Sequence, residues 1–329
     1  MNYNKNGDLM NTLYLIYGEN RIRIDEKVNE LTRQYLKEID EFNRIVFDYI
    51  DTPVEMIIEE CLTLPFLSDR KVVIVNDTFS FTSEKKRTNV DHNINLLIEY
   101  LEEKNDDTLL IFVANSEKLD SRKKLTKTMK KNGKVIEIEA MNERELRDYI
   151  FDSASKESVH ISNDAVEELI KRTDADYSRV KSELEKLTLY VENEITITDI
   201  DDIVSKSLEA NVFSLTDLIL KNQKQEAVET FRDLILQKEE PIKLLGLISS
   251  QFRLYYQTKI LSSEGLRQDE IAKQLKVHPY RVKLALSAVS RYSLDNLLKK
   301  MVVIRDMDYE LKSTYLDSEA LFEIFINKI

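Results

Sequence analysis

Up to Glu139 the chain alternates short apolar runs with longer amphipathic stretches, and beyond that point the short runs stop. The runs are Leu13–Tyr17, Asn43–Tyr49, Lys71–Val75, Leu109–Val113 and Lys134–Ile138. Between them lie helical patterns at Ile22–Leu36, Val54–Thr63, Ile94–Glu102 and the basic stretch Arg122–Lys131. Strands alternating with helices at this spacing make a parallel, doubly wound α/β sheet with flanking helices. Residues 142–208 read instead as short helices, with Asn142 and Ser162 as N-caps ahead of acidic residues that suit a helix N-terminus. From there long amphipathic helices follow, near 214–221, 224–237, 241–262, 268–274, 279–289, 294–312 and 318–328. The expected division is an α/β domain over 1–140, a small helical domain over 141–208 and a helical bundle over 209–329.

Composition supports that reading. Hydrophobic residues make up 42% and charged residues 33% of 329, the balance of a folded, soluble chain of two or three domains. Five glycines and four prolines are too few for a turn-rich sandwich or barrel, so helices should dominate. The net charge of −12 argues against coating nucleic acid by bulk charge. It divides as −5 over residues 1–140, −8 over 141–208 and +1 over 209–329. A single cysteine, Cys61, excludes a disulfide framework, as expected in a reducing compartment. The polar first twelve residues, and no apolar run near the ~18–20 residues that span a bilayer, point to the cytoplasm.

Catalytic chemistry finds little footing. After the first strand, Gly18-Glu19-Asn20-Arg21 offers one glycine where a phosphate loop needs two, no Lys-Ser/Thr pair, and a carboxylate where phosphate would sit. Asp77, at the end of the third strand, reads as a magnesium-binding acid or, without a phosphate loop, as a turn or helix cap. His92, His160 and His278 show no ligand spacing, so no metal or other cofactor is expected. Cys61, on the apolar side of its helix, reads as a packing group. The polar stretch Thr82–Asn93 reads as a surface loop.

Interaction candidates are more informative. Asp51 is placed to cap the helix over Val54–Thr63, Pro53 fits its first turn, and Pro65 enforces extended chain at its end. Phe66 and Leu67 then sit on a helix-to-strand connection, either folded back into the core or offered to a partner's pocket. Arg267–Leu286, with Ile271-Ala272, a turn at Val277-His278-Pro279 and Arg281 and Lys283 near the start of a second helix, has the look of a helix-turn-helix DNA reader or of a packing unit. The cations Lys118, Arg122, Lys123, Lys124, Lys127, Lys130 and Lys131 form a solvated face or meet an anionic partner. Tyr315 reads as a packing residue or a base-stacking one.

Several of these segments, in order, resemble the delta subunit family of the bacterial DNA polymerase III clamp loader. They are Leu13-Tyr-Leu-Ile-Tyr-Gly-Glu-Asn, Pro65-Phe-Leu-Ser-Asp-Arg-Lys-Val-Val-Ile-Val and Ser116-Glu-Lys-Leu-Asp-Ser-Arg-Lys-Lys-Leu, followed by Phe213-Ser-Leu-Thr-Asp, the stretch from Glu240 to Arg253, Val277-His-Pro-Tyr-Arg-Val-Lys and Leu311-Lys-Ser-Thr-Tyr. The resemblance spans nearly the whole chain. It implies an AAA+-like N-terminal domain without a functional phosphate loop, an all-α lid and an all-α collar that mediates oligomerisation. It also implies a non-catalytic subunit of the DNA polymerase III holoenzyme that binds the beta sliding clamp through Leu64, Phe66 and Leu67. Such a subunit opens or holds open the clamp ring for loading onto primed DNA, in company with ATPase (tau/gamma) subunits and delta-prime. Lys123, Lys124, Lys127 and Tyr315 are candidate contacts to DNA or partners. The segment 267–286 becomes collar helices under this reading; its alternative is a helix-turn-helix regulator, and an active AAA+ ATPase is a third.

Overall fold

The structure, a computed structural model, describes residues 11–329 except 37, 41, 66, 67, 104 and 106. The chain divides into two compact units that meet in sequence at residues 140 and 141. In the first, strands β1 (Leu13–Gly18), β2 (Arg44–Asp48), β3 (Lys71–Asn76), β4 (Thr108–Asn115) and β5 (Lys134–Ile138) form one sheet in the order β2-β3-β4-β1-β5. Every pairing is parallel. Parallel neighbours need crossovers, and these are α1 (Arg21–Tyr35), α2 (Val54–Leu62), α3 (Ile94–Glu102) and α4 (Lys124–Asn132). This is the parallel α/β sheet with flanking helices expected from the alternation.

Successive strand residues point to opposite faces, and both faces are buried. Leu13, Leu15, Val73, Val75, Leu110 and Phe112 pack against α2, α3 and α4 through Ile57, Cys61, Leu97, Leu101 and Met129. Tyr14, Ile16, Val72, Ile74, Leu109 and Ile111 pack against α1 through Ile24, Val28, Leu31 and Tyr35. At the end of β1, Gly18 pairs with Ile138 of β5, and a Cβ there would lie 2.4 Å from the Ile138 carbonyl oxygen. Only glycine admits that approach.

The expected cap of α2 by Asp51 is not formed. Pro53 itself occupies the N-cap at φ −60°, ψ 145°, with no side-chain hydrogen bond, which leaves Asp51 too early in the chain. Asp77, just after β3 in the left-handed region at φ 56°, is not the helix or turn cap expected, because its carboxylate bonds side chains and, among the described residues, no backbone N–H. Its carboxylate accepts from Lys86 Nζ at 2.9 Å and from Asn115 Nδ2 at 2.9 Å, with Arg21 3.8 Å away. These bonds tie the irregular segment after β3 to the ends of two strands. Burial pushes the Asp77 carboxyl up, but the bonds from Lys86 and Asn115 and the charges of Lys86 and Arg21 outweigh it. The group therefore titrates below its ordinary 3.8.

The second unit opens with α5 (Glu143–Lys156), β6 (His160–Ile161), α6 (Asn163–Arg172), α7 (Tyr177–Tyr190), β7 (Glu194–Ile195) and α8 (Ile197–Ile203). Asn142 caps α5 in a reciprocal box with Glu145, at 3.0 and 2.9 Å, and Ser162 caps α6 at 3.2 Å. Such a cap stabilises its helix by about 0.5–2 kcal/mol. The parallel ladder of β6 and β7 corrects the expectation that strands end at Glu139. Two residues per strand are too few to leave a periodicity in sequence, although Ile161 and Ile195 are buried in the core formed around Leu146, Val166 and Leu184. Then come α9 (Leu208–Leu220), α10 (Lys224–Leu236), α11 (Pro241–Ser263), α12 (Gln268–Leu275), α13 (Pro279–Val289), α14 (Leu294–Ser313) and α15 (Ser318–Lys328). They enclose a second core that includes Leu245, Phe252, Tyr255 and a stacked Phe231–Phe322 pair with centroids 4.2 Å apart. Helix α9 starts earlier than its pattern suggests because Ser207 caps it through Ala210 N at 3.0 Å. Among the described residues no helix is long and apolar enough to cross a membrane.

Two outcomes follow. Gly18→Ala forces β1 and β5 apart and lowers unfolding free energy by about 1–3 kcal/mol, read by urea denaturation. Because the folded Asp77 carboxyl titrates below 3.8, its contribution is complete above that pH and is lost as pH falls through the lower folded value. Asp77→Asn lacks this term, so its stability declines less steeply than wild type below pH 3.8, measured by thermal unfolding against pH.

Candidate functional site

The connection from α2 to β3 lies at the edge of the sheet where strands begin. Helix α2 buries Val54, Ile57, Ile58 and Cys61 and leaves Met56 and Leu62 exposed. Burial raises the Cys61 thiol to about 12, the state of a packing group and not of a nucleophile. Ahead of Pro65 the helix stops at Leu62, and Thr63 is extended at φ −67°, ψ 149°. Leu64 is 83% exposed. Phe66 and Leu67 lie outside the described residues.

Both flanks of this segment are fastened. The last carbonyls of a helix have no partner within it, and side chains from β3, β4 and the loop before β4 supply them here. Lys71, 1% exposed, donates Nζ to the Glu60 carbonyl oxygen, to Thr63 Oγ1 at 2.6 Å and to Glu60 Oε1 at 3.0 Å. Asn105 Nδ2 and Thr108 Oγ1 donate to the Cys61 carbonyl oxygen at 3.2 and 2.9 Å. On the outgoing side the Arg70 guanidinium stands 5.1 Å from the Tyr35 ring centre, and Arg70 N donates to Ser68 Oγ at 3.1 Å. Sequence reasoning missed Lys71, Asn105 and Thr108. The available signal was a lysine opening the otherwise apolar run Lys71–Asn76, where a charge must find partners.

At the opposite edge, where a nucleotide would sit, the turn from β1 to α1 holds only Glu19 and Asn20. Asn20 Oδ1 accepts from Arg23 N at 3.1 Å and so occupies the helix N-terminus that would otherwise face phosphate. An open cleft of about 510 Å³ lies here, lined by Glu19, Glu84 and Glu117 together with Asn115 and Lys118. Lys118 is itself paired with Glu117 at 3.3 Å.

The remaining candidates separate cleanly. Lys123 engages the carbonyl oxygens of Ser80 and Thr82 at 3.0 and 2.6 Å, and Arg122 pairs with Asp120 at 2.9 Å. Lys124 and Lys127 are exposed on α4, and among the described residues neither forms an ion pair. Tyr315, in the turn between α14 and α15, is fully exposed, which removes its packing reading. In the segment 267–286, Tyr280, Val282 and Ala285 of α13 are buried. Arg281 lies 3.9 Å from Asp174 and donates to Gln251 at 3.2 Å, while Lys283 pairs with Glu143 at 2.8 Å. The cations that a DNA reader would present are held within the chain.

Comparison with known proteins accounts for this arrangement. The family model for the DNA polymerase III delta subunit matches residues 14–139, and the model for the C-terminal domain of that family matches residues 209–329. The DNA polymerase III subunit delta of Bacillus subtilis (strain 168) is 36% identical over 317 residues, covering 95% of this chain and 91% of that protein. The probable DNA polymerase III subunit delta of Aquifex aeolicus (strain VF5) is 20% identical over 228 residues, 68% of this chain and 65% of its own. Among solved structures, the Bacillus subtilis DNA clamp loader delta protein superposes with a TM-score of 0.70 at 35% identity, covering 96% of this chain and 94% of that one. With the sheet domain and the terminal helical bundle each matching their counterpart in one family, in the same order, the chain belongs to the DNA polymerase III delta subunit family of replicative clamp-loader proteins.

Proposed function

We propose that this chain binds the beta sliding clamp through the segment after α2 and opens or holds open one interface of its ring, for loading onto primed DNA. The observation that carries the proposal is Leu64, a large apolar side chain left 83% exposed on a connection whose incoming flank is fastened to the sheet and whose outgoing flank is fastened to α1. Exposure of this kind on an anchored segment suits an interface hot spot. Phe66 and Leu67 complete the plug on this reading. Seating one leucine and one phenylalanine in a clamp pocket supplies roughly 1.5–3 kcal/mol each, enough to bias a ring interface already under strain.

Residues 141–208 act as the lid and 209–329 as the collar that joins the ATPase (tau/gamma) subunits and delta-prime in the cytoplasm. The chain itself hydrolyses nothing and contributes to the polymerase holoenzyme as a lever; the capped α1 and the acidic cleft support this. Lys124 and Lys127, free of ion pairs among the described residues, and the exposed Tyr315 are offered to DNA or to neighbouring subunits.

Calorimetry with the beta clamp of the same organism tests the reading. Wild type binds without nucleotide, and ATP leaves the affinity unchanged. The double variant Leu64→Ala/Phe66→Ala loses about 3 kcal/mol or more of binding, while its thermal unfolding shifts little, the outcome this reading requires of side chains reserved for a partner. Failure of folded wild type to bind, or retention of binding by the double variant, contradicts it.

A further inference from the structure

We infer that Lys71 is a positioning residue for clamp binding: its buried ammonium fixes the root of the segment that begins at Thr63. The inference rests on the clamp-binding reading of that segment. Three acceptors converge on Lys71 Nζ, and all belong to the last turn of α2 or its exit, namely the Glu60 carbonyl, the Glu60 carboxylate and the Thr63 hydroxyl. Lys71 is at the same time the first residue of β3, paired in register with Thr108 of β4. Thr108 in turn holds the Cys61 carbonyl at 2.9 Å, so two adjacent strands grip consecutive carbonyls of one helix end. A lysine 1% exposed is a costly choice if helix capping alone were required, because burying a charge needs full compensation whereas a neutral donor needs much less. What the lysine adds is reach: one group bonds both the helix and Thr63, the residue from which the plug departs.

Removing it frees the root before binding and obliges the clamp to order it. Ordering one additional backbone residue on association weakens binding about tenfold. Lys71→Met keeps the length and apolar stem of the side chain. The Glu60 carboxylate it abandons is 33% exposed and can turn to water, so the fold has a way to tolerate the change. Thr63→Val alters an exposed position and removes one of the three acceptors, which gives a milder variant that leaves the buried lysine in place.

Titration calorimetry of the full chain against the beta clamp, at a temperature well below unfolding, compares wild type, Lys71→Met, Thr63→Val and Leu64→Ala/Phe66→Ala. The expected result is about a tenfold rise in Kd for Lys71→Met with stoichiometry unchanged, and a smaller rise for Thr63→Val. A merely structural role lowers the binding-competent fraction, and hence the stoichiometry, without changing Kd; that result overturns the inference. Wild-type affinity in both Lys71→Met and Thr63→Val, beside a double variant that fails to bind, overturns it too and leaves the clamp-binding reading standing. Absence of binding by wild type overturns the clamp-binding reading itself and the positioning role with it.

Discussion

Parallel pairing of five strands is the constraint from which the rest of the first unit follows. Every strand must be re-entered from the same end, so every connection crosses a face of the sheet as a helix, and the loops sort into two edges. Strand ends face one way, toward the cleft where related α/β folds hold nucleotides, and strand beginnings face the other. At the first edge the turn from β1 to α1 is short, closed by Asn20 and backed by Gly18 against Ile138. The connection from α2 to β3 lies at the second, with Leu64 exposed. On the proposed reading, partner binding therefore uses the edge remote from the nucleotide cleft, consistent with a lever that transmits force and leaves hydrolysis to others.

Much of this was legible in the residues. The β-branched runs gave the strands to within a residue or two because a strand buried on both faces must be apolar throughout, as Val72–Val75 and Leu109–Val113 are. Asn142 and Ser162 announced two helix starts because their side chains satisfy N–H groups that no helix can satisfy internally. Features set by contacts distant in sequence were not legible. Asp77 drew Lys86 and Asn115 to itself in the fold, whereas the misplaced cap of α2 was a local matter, with Pro53 standing where Asp51 was expected. The pair β6 and β7, two residues each, lies below the length at which alternation can be seen.

The candidate site divides in the same way. Pro65 foretold the exit from α2, while Phe66 and Leu67 after it lie outside the described residues, and nothing local in the sequence marks Lys71 as the partner of Glu60 and Thr63. Its significance appears only when the start of β3 is laid beside the end of α2. The same holds in reverse for the segment 267–286, whose helix-turn-helix appearance is real as local structure. Arg281 and Lys283 nevertheless answer Asp174, Gln251 and Glu143, distant residues of their own chain.

Hydrogen exchange of the chain alone and bound to the beta clamp tests the central claim most directly, because it reads the contact surface without altering a residue. The account predicts slowed exchange at the backbone amides of residues 62–70 on binding and unchanged exchange across 268–289. Unchanged exchange at 62–70, with protection appearing in α12 and α13 instead, would contradict it.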